Sequence, residues 1–209
     1  MLAERASRIF AGLPPHAAGQ RIGLYGGSFN PAHDGHRHVS LLALRRLRLD
    51  QVWWLVTPGN PLKDTAGLTS LDRRMAKAAQ IAAHPRIAIS GAELGFRTRY
   101  TADLIQILKT RAPAVRFVWV MGSDNLAQLH RWDRWRDIAA SVPVAVVNRP
   151  GFLAAALAAP APQALRRYRI NETDAPVLAA CQPPAWTFLT GPRTAASSTA
   201  LRNHETQSS

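Results

Sequence analysis

Arg21-Ile22-Gly23-Leu24-Tyr25-Gly26-Gly27-Ser28-Phe29-Asn30-Pro31-Ala32-His33-Asp34-Gly35-His36 is the stretch whose reading decides the fold. Residues 21–25 form a short apolar run, the mark of a buried strand. Val39-Ser40-Leu41-Leu42-Ala43-Leu44, just beyond the stretch, reads as helix. A strand, a glycine turn and a helix N-terminus together present backbone N–H groups and a partial positive charge to an anion. His33 and His36 stand in the same turn, three residues apart. Gly35 lies between them, lets the backbone approach a ligand and leaves both imidazoles unobstructed. The elementary reading is a phosphate site furnished with ionisable donors.

Other readings of these residues fare less well. The glycines do not follow G-x-G-x-x-G and no G-K-[ST] comes after them, so the dinucleotide cradle and the P-loop are set aside. His33, His36 and His38 would make a crowded zinc set with no thiolate cluster nearby, and no metal site is assigned. A glycine turn flanked by surface histidines stays open as the structural alternative.

At 209 residues the chain is long enough for one well-buried domain and short for two. A hydrophobic fraction of 47% with 19% charge excludes a disordered chain. No apolar run approaches membrane-spanning length; the longest candidate, Phe152 to Ala161, is broken by Pro160. Cys181 is the only cysteine, which rules out an internal disulfide and fits a reducing, cytoplasmic setting. Lysine and arginine total 26 against 13 acids, and the net charge of +13 favours polyanionic partners. The arginines are scattered, however, as in Arg45-Arg46, Arg73-Arg74 and Arg166-Arg167, so the charge alone does not choose between nucleic acid and small phosphorylated substrates.

Strand-like and helix-like segments alternate from residue 21 onward. Further strands are expected at Gln51–Val56, Arg86–Ser90, Arg116–Met121, Val144–Val147 and Trp186–Leu189. Pro58-Gly59-Asn60-Pro61 opens a long loop to about Leu68. Thr69, with Asp72 three residues on, resembles a capping box for a helix through Ala83. Tyr100–Leu108 reads as a helix with Leu104, Ile105 and Leu108 on one face, and Trp135–Ala140 as another. The Ala/Pro-rich 152–165 is a loop or short helix, and Ser197–Asn203 begins a last helix. Residues 1–20, with Pro14-Pro15 and Gly19, are expected as a flexible lead-in, and 21–209 as a single domain.

Strands apolar on both faces between helices predict an α/β fold: a Rossmann-like, doubly wound parallel sheet with helices on both faces. Ligands in such sheets sit beyond the strand carboxyl ends where strand order reverses. Gly26-Gly27-Ser28 and Gly122-Ser123-Asp124 each follow a buried strand. If strands 21–25 and 116–121 are neighbours at the reversal, the two turns face one crevice. Near the C-terminus, Ser197-Ser198-Thr199 with Arg202 a turn later suits either a helix cap or a phosphate.

The paired motifs Gly-Gly-Ser-Phe-Asn-Pro-x-His-x-Gly-His and Ser-Ser-Thr-x-x-Arg resemble the HxGH nucleotidyltransferase superfamily. Within it the chain is most similar to the bacterial nicotinate-nucleotide adenylyltransferases. The likeness extends through Asn60-Pro61-Leu62-Lys63, Tyr100-Thr101, Met121-Gly122-Ser123-Asp124-Asn125, His130-Arg131-Trp132 and Asn148-Arg149-Pro150-Gly151. Asn30 departs from it, standing where many members have aspartate.

The resemblance implies an enzyme with ATP and nicotinate mononucleotide as substrates, deamido-NAD and pyrophosphate as products, and a role in NAD biosynthesis. It implies His33 and His36 as catalytic donors along the ATP phosphates. Gly26, Gly27, Ser28, Phe29, Gly122, Asp124, Ser197, Ser198, Thr199 and Arg202 would line the ATP site. Asn60, Lys63, Tyr100, Thr101, Trp132 and Arg149 would contact the acceptor, with Trp132 packing against the pyridine ring. Mg²⁺ would arrive with ATP, no membrane is implicated, and a homo-oligomer is compatible with the family. Nicotinamide mononucleotide or phosphopantetheine is the alternative acceptor. A non-catalytic nucleic-acid-binding protein is the reading from another class, and the intact phosphate motifs speak against it.

Overall fold

The computed structural model describes residues 6–59, 67–149 and 151–191. The strands are β1 (Ile9–Phe10), β2 (Arg21–Gly27), β3 (Gln51–Val56), β4 (Ile87–Ser90), β5 (Arg116–Gly122), β6 (Val144–Val147) and β7 (Trp186–Leu189). The α-helices are α1 (Asp34–Arg46), α2 (Leu71–Ala82), α3 (Ala92–Gly95), α4 (Thr101–Arg111), α5 (Ser123–Leu126), α6 (Trp135–Ser141), α7 (Leu153–Ala158) and α8 (Pro160–Ala164). Short 3₁₀ segments lie at Leu129–Arg131, Arg166–Tyr168 and Glu172–Ala180.

The strands form one parallel sheet in the order β1-β4-β3-β2-β5-β6-β7. From β2 the chain winds outward through β3 and β4, then returns to add β5, β6 and β7 on the other side. Order therefore reverses between β2 and β5, where Tyr25 lies opposite Trp54 on one side and Val120 on the other. Such a reversal opens a crevice at the strand carboxyl ends, because the loops leaving the two strands diverge to opposite faces.

The period-2 alternation of the strands builds two cores. Tyr25, Val52, Trp54, Val56, Val118 and Val120 pack with α1, α2 and the 172–180 segment on one face. Ile22, Leu24, Trp53, Leu55, Trp119 and Met121 pack with α4, α6 and the 156–165 helices on the other. The buried Trp54 indole is satisfied by Ser40, whose Oγ accepts its Nε1–H at 2.7 Å and itself donates to the His36 carbonyl at 3.0 Å. That relay fixes α1, which carries the histidines, to the middle of the sheet.

Three local expectations change. The lead-in contributes a strand: Ile9–Phe10 pairs with β4 at the sheet edge, with Ile89 N–H donating to Arg8 O and Gly91 N–H to Phe10 O. Two residues are too few to show an alternation. Thr69 does not cap α2. Its hydroxyl donates to Asn30 Oδ1 at 2.7 Å, and Ser70 occupies the N-cap position without a side-chain bond. Tertiary partners have outbid the local box. The 152–165 region forms two short helices, α7 and α8, with Pro160 opening the second at a position where its missing N–H costs nothing. The helix expected at Ser197–Asn203 lies outside the described residues. Among the described residues no helix is long and apolar enough to cross a membrane.

Candidate active site

His33 is the N-cap of α1, and it and His36 cap the helix reciprocally. His33 Nδ1 accepts the Gly35 N–H at 3.0 Å, while His36 Nδ1 accepts the His33 N–H at 3.2 Å. A ring nitrogen that accepts carries no hydrogen, so both neutral imidazoles are fixed with the proton on Nε2. The rings lie 3.9 Å apart. His33 is only 3% exposed, and its Nε2 has no hydrogen-bond partner among the described residues. Burial, helped by the Arg149 charge, lowers the His33 pKa to about 4. Burial, then His33 and Arg149, holds His36 well below the ordinary histidine range. At neutral pH the helix entrance thus offers uncharged N–H donors beside the positive end of the α1 dipole.

Across the strand reversal, Arg149 reaches back from the end of β6. Its Nη1 donates to Asp124 Oδ2 at 3.1 Å, its Nη2 to Tyr25 Oη at 3.0 Å, and its backbone N–H to Ser123 Oγ at 2.9 Å. Burial works against this guanidinium, but Tyr25 and Asp124 more than compensate and raise its pKa. Burial pushes the Tyr25 phenol up, so it stays protonated and accepts from Arg149. Tyr25 in turn stands 6.0 Å from the His36 ring. The two glycine-bearing turns therefore meet in one crevice, as the strand order requires. Gly122 is glycine for this pair: a Cβ there would run into the Asp124 carboxylate and the Arg149 side chain.

Other expected nucleotide contacts have a packing role first. A Cβ on Gly26 would sit 2.8 Å from Trp119 Cη2, so the missing side chain makes room for an indole. A Cβ on Gly27 would press on the Phe29 ring at 3.3 Å. Phe29 is 1% exposed and stacks on Trp54 at 4.8 Å with a left-handed φ of 47°. Its side chain is core, and only its backbone faces the turn. The Ser28 carbonyl is held by Arg74 Nη1 at 2.7 Å.

Of the expected acceptor residues, Trp132 is half-buried and meets Trp119 edge-on at 6.2 Å, which puts it one indole away from Gly26. Arg149, expected with the acceptor, is tied to Asp124 and Tyr25 and acts electrostatically on both histidines. Tyr100, 43% exposed, and Thr101 open α4, and among the described residues no hydrogen bond or ring contact joins them to the histidine cluster. Asn60, Lys63, Ser197, Ser198, Thr199 and Arg202 lie outside the described residues.

Sequence reasoning missed Tyr25 and Ser123 in this site, and the buried Arg74 behind its glycine turn. Tyr25 looked like one more apolar strand residue, and Arg74 like one of the scattered arginines. Among the described residues no three His, Cys, Asp or Glu side chains gather as a metal cage. Asp124 Oδ1 is buried without a partner there. That oxygen would be available to a Mg²⁺ arriving on nucleotide phosphates.

Comparison with known proteins gives the family. The cytidylyltransferase-like family matches residues 24–204. A protein of Methylorubrum extorquens (strain PA1) named "Probable nicotinate-nucleotide adenylyltransferase" is 60% identical over 182 residues, covering 87% of this chain and 98% of its own. Proteins with the same name in Bradyrhizobium sp. (strain ORS 278) and Brucella suis biovar 1 (strain 1330) are 60% and 52% identical, covering 88% and 87% of this chain and 95% and 93% of theirs. The Plasmodium falciparum nicotinic acid mononucleotide adenylyltransferase complexed with APC shares the fold. Its TM-score is 0.62 at 18% identity, over 88% of this chain and 83% of that one. The chain belongs to the cytidylyltransferase-like family, among its nicotinate-nucleotide adenylyltransferases.

Proposed function

We propose that this chain joins ATP and nicotinate mononucleotide to give deamido-NAD and pyrophosphate. The observation that carries the reading is the reciprocal cap of His33 and His36, which holds two neutral Nε2–H donors at a helix N-terminus on the strand reversal. In the reaction an oxygen of the mononucleotide 5′-phosphate attacks the α-phosphorus of ATP. The bond from that phosphorus to the α,β-bridging oxygen breaks, and its electron pair leaves with pyrophosphate. No protein nucleophile is required, so the residues act by alignment and by charge stabilisation.

His33 and His36 donate to phosphate oxygens whose negative charge grows toward the transition state. Arg149 supplies the nearby fixed cation, with Asp124 and Tyr25 holding its direction. Ser197, Ser198, Thr199 and Arg202 complete the hold on the β- and γ-phosphates. Asp124, through the Oδ1 that is unpartnered among the described residues, would help hold a Mg²⁺ arriving with ATP, and that ion would supply charge neutralisation at the phosphates. Trp132 packs the pyridine ring, and Asn60, Lys63, Tyr100 and Thr101 surround the acceptor. Neutral imidazoles suit the task because they donate without adding to the positive charge that Arg149 already brings.

Pyrophosphate release from ATP tests the reading with nicotinate mononucleotide, nicotinamide mononucleotide and phosphopantetheine offered in turn. Release is expected with the acid pyridine at the highest kcat/KM. No release with either pyridine nucleotide would overturn the assignment.

A further inference from the structure

Arg74, on α2, stands outside the site above yet is only 3% exposed. Its guanidinium binds carbonyls of three separate segments. Nη1 donates to Ser28 O and Thr57 O, both at 2.7 Å, Nη2 to Pro58 O at 3.3 Å, and Nε to Thr69 O at 2.8 Å. These are the glycine turn after β2, the chain leaving β3 and the chain entering α2. The buried Glu93, from α3 behind β4, interacts with it electrostatically, its own carboxyl raised to about 7 chiefly by burial. Taking a guanidinium out of water is costly, and apolar packing would join loops to a core more cheaply. What packing cannot do is fix the direction of individual carbonyls, which the five donors of a rigid planar fork can. Asn30 reinforces the same seam, its Nδ2 donating to Gly67 O at 3.3 Å and its Oδ1 accepting from Thr69 at 2.7 Å.

We propose that Arg74 is a positioning residue for phosphoryl transfer. By pinning the Ser28 carbonyl to the carboxyl end of β3, it sets the placement of the turn that delivers His33 and His36 to the nucleotide phosphates. The inference rests on the adenylyl-transfer reading of the site.

Arg74→Lys keeps the charge but has one nitrogen, which cannot span carbonyls of three segments; Arg74→Gln keeps two N–H donors and no charge. Steady-state kinetics of pyrophosphate release, with thermal melts of the same samples, decide the matter. Both variants are expected to unfold cooperatively above the assay temperature. Their kcat should fall about 10–100-fold with KM for ATP within about threefold, as for a small misplacement of reacting groups. Unchanged kcat in Arg74→Lys, a loss confined to KM, or failure of both variants to fold would each overturn the positioning role. Wild-type turnover alongside an unimpaired Arg74→Lys removes this inference alone. A wild-type chain that releases no pyrophosphate removes the reaction and the inference together.

Discussion

An imidazole whose Nδ1 accepts a backbone N–H has its tautomer chosen for it, and that constraint governs His33 and His36. Protonation at Nδ1 would break the cap and place a cation beside Arg149, so both effects oppose the charged form. Ring carbon-bound NMR signals of the two histidines are therefore expected to hold their neutral positions from pH 8 to about pH 5, with the His33 midpoint at about 4. A midpoint near 6.5 for either ring would mean an exposed, uncapped histidine. The motif spacing announced a phosphate site, but the tautomers were invisible in it, because they depend on bonds made only once α1 has formed. The packing of Phe29 was hidden for a similar reason. Its place in the glycine motif suggested a ligand contact, whereas its ring is drawn onto Trp54.

At the scale of elements, the strands were legible wherever an apolar run was bounded by turn residues, as at Gln51–Val56 and Val144–Val147. The adjacency of β2 and β5 was only a condition for the glycine turns to share a crevice, and the sheet meets it. What could not be read were features decided across elements: the two-residue β1, the failed cap at Thr69, and the reason for Gly26. Trp119 is buried, and a methyl at Gly26 would meet its Cη2 at 2.8 Å. Gly26→Ala should thus cost about 1–3 kcal/mol in urea unfolding through forced movement of the indole. It should also weaken acceptor binding, because Trp132 leans on the same ring. A loss below about 0.5 kcal/mol would show that Trp119 is not what requires glycine there.

Over the whole molecule, the site draws on β2, α1, β5 and β6, segments that only the reversal of strand order brings together. Two buried groups also tie stability to pH with opposite signs. His33 falls from 6.5 to about 4 on folding, so its contribution is complete above 6.5 and is lost as pH drops toward 4. Glu93 rises from 4.5 to about 7, chiefly through burial, with Thr57 and Arg74 pulling the other way. Between those values the folded state binds the extra proton, and stability falls as pH rises through 7. Glu93→Gln removes that loss, so the melting temperature of the variant relative to wild type should be higher at pH 8 than at pH 5; the reverse order would place Glu93 in a charged pair. On the proposed reading, neutral His33 and His36 Nε2–H groups stabilise adenylyl transfer. Asparagine is a good N-cap whose Oδ1 can take over the role of Nδ1, so His33→Asn keeps the helix start and deletes only the Nε2 donor. The direct measurement is the initial rate of pyrophosphate release from ATP and nicotinate mononucleotide by wild type and His33→Asn. Wild type is expected to give equimolar deamido-NAD and pyrophosphate, and the folded variant to be slower by about 10²–10³. A variant that turns over at the wild-type rate would contradict that reading.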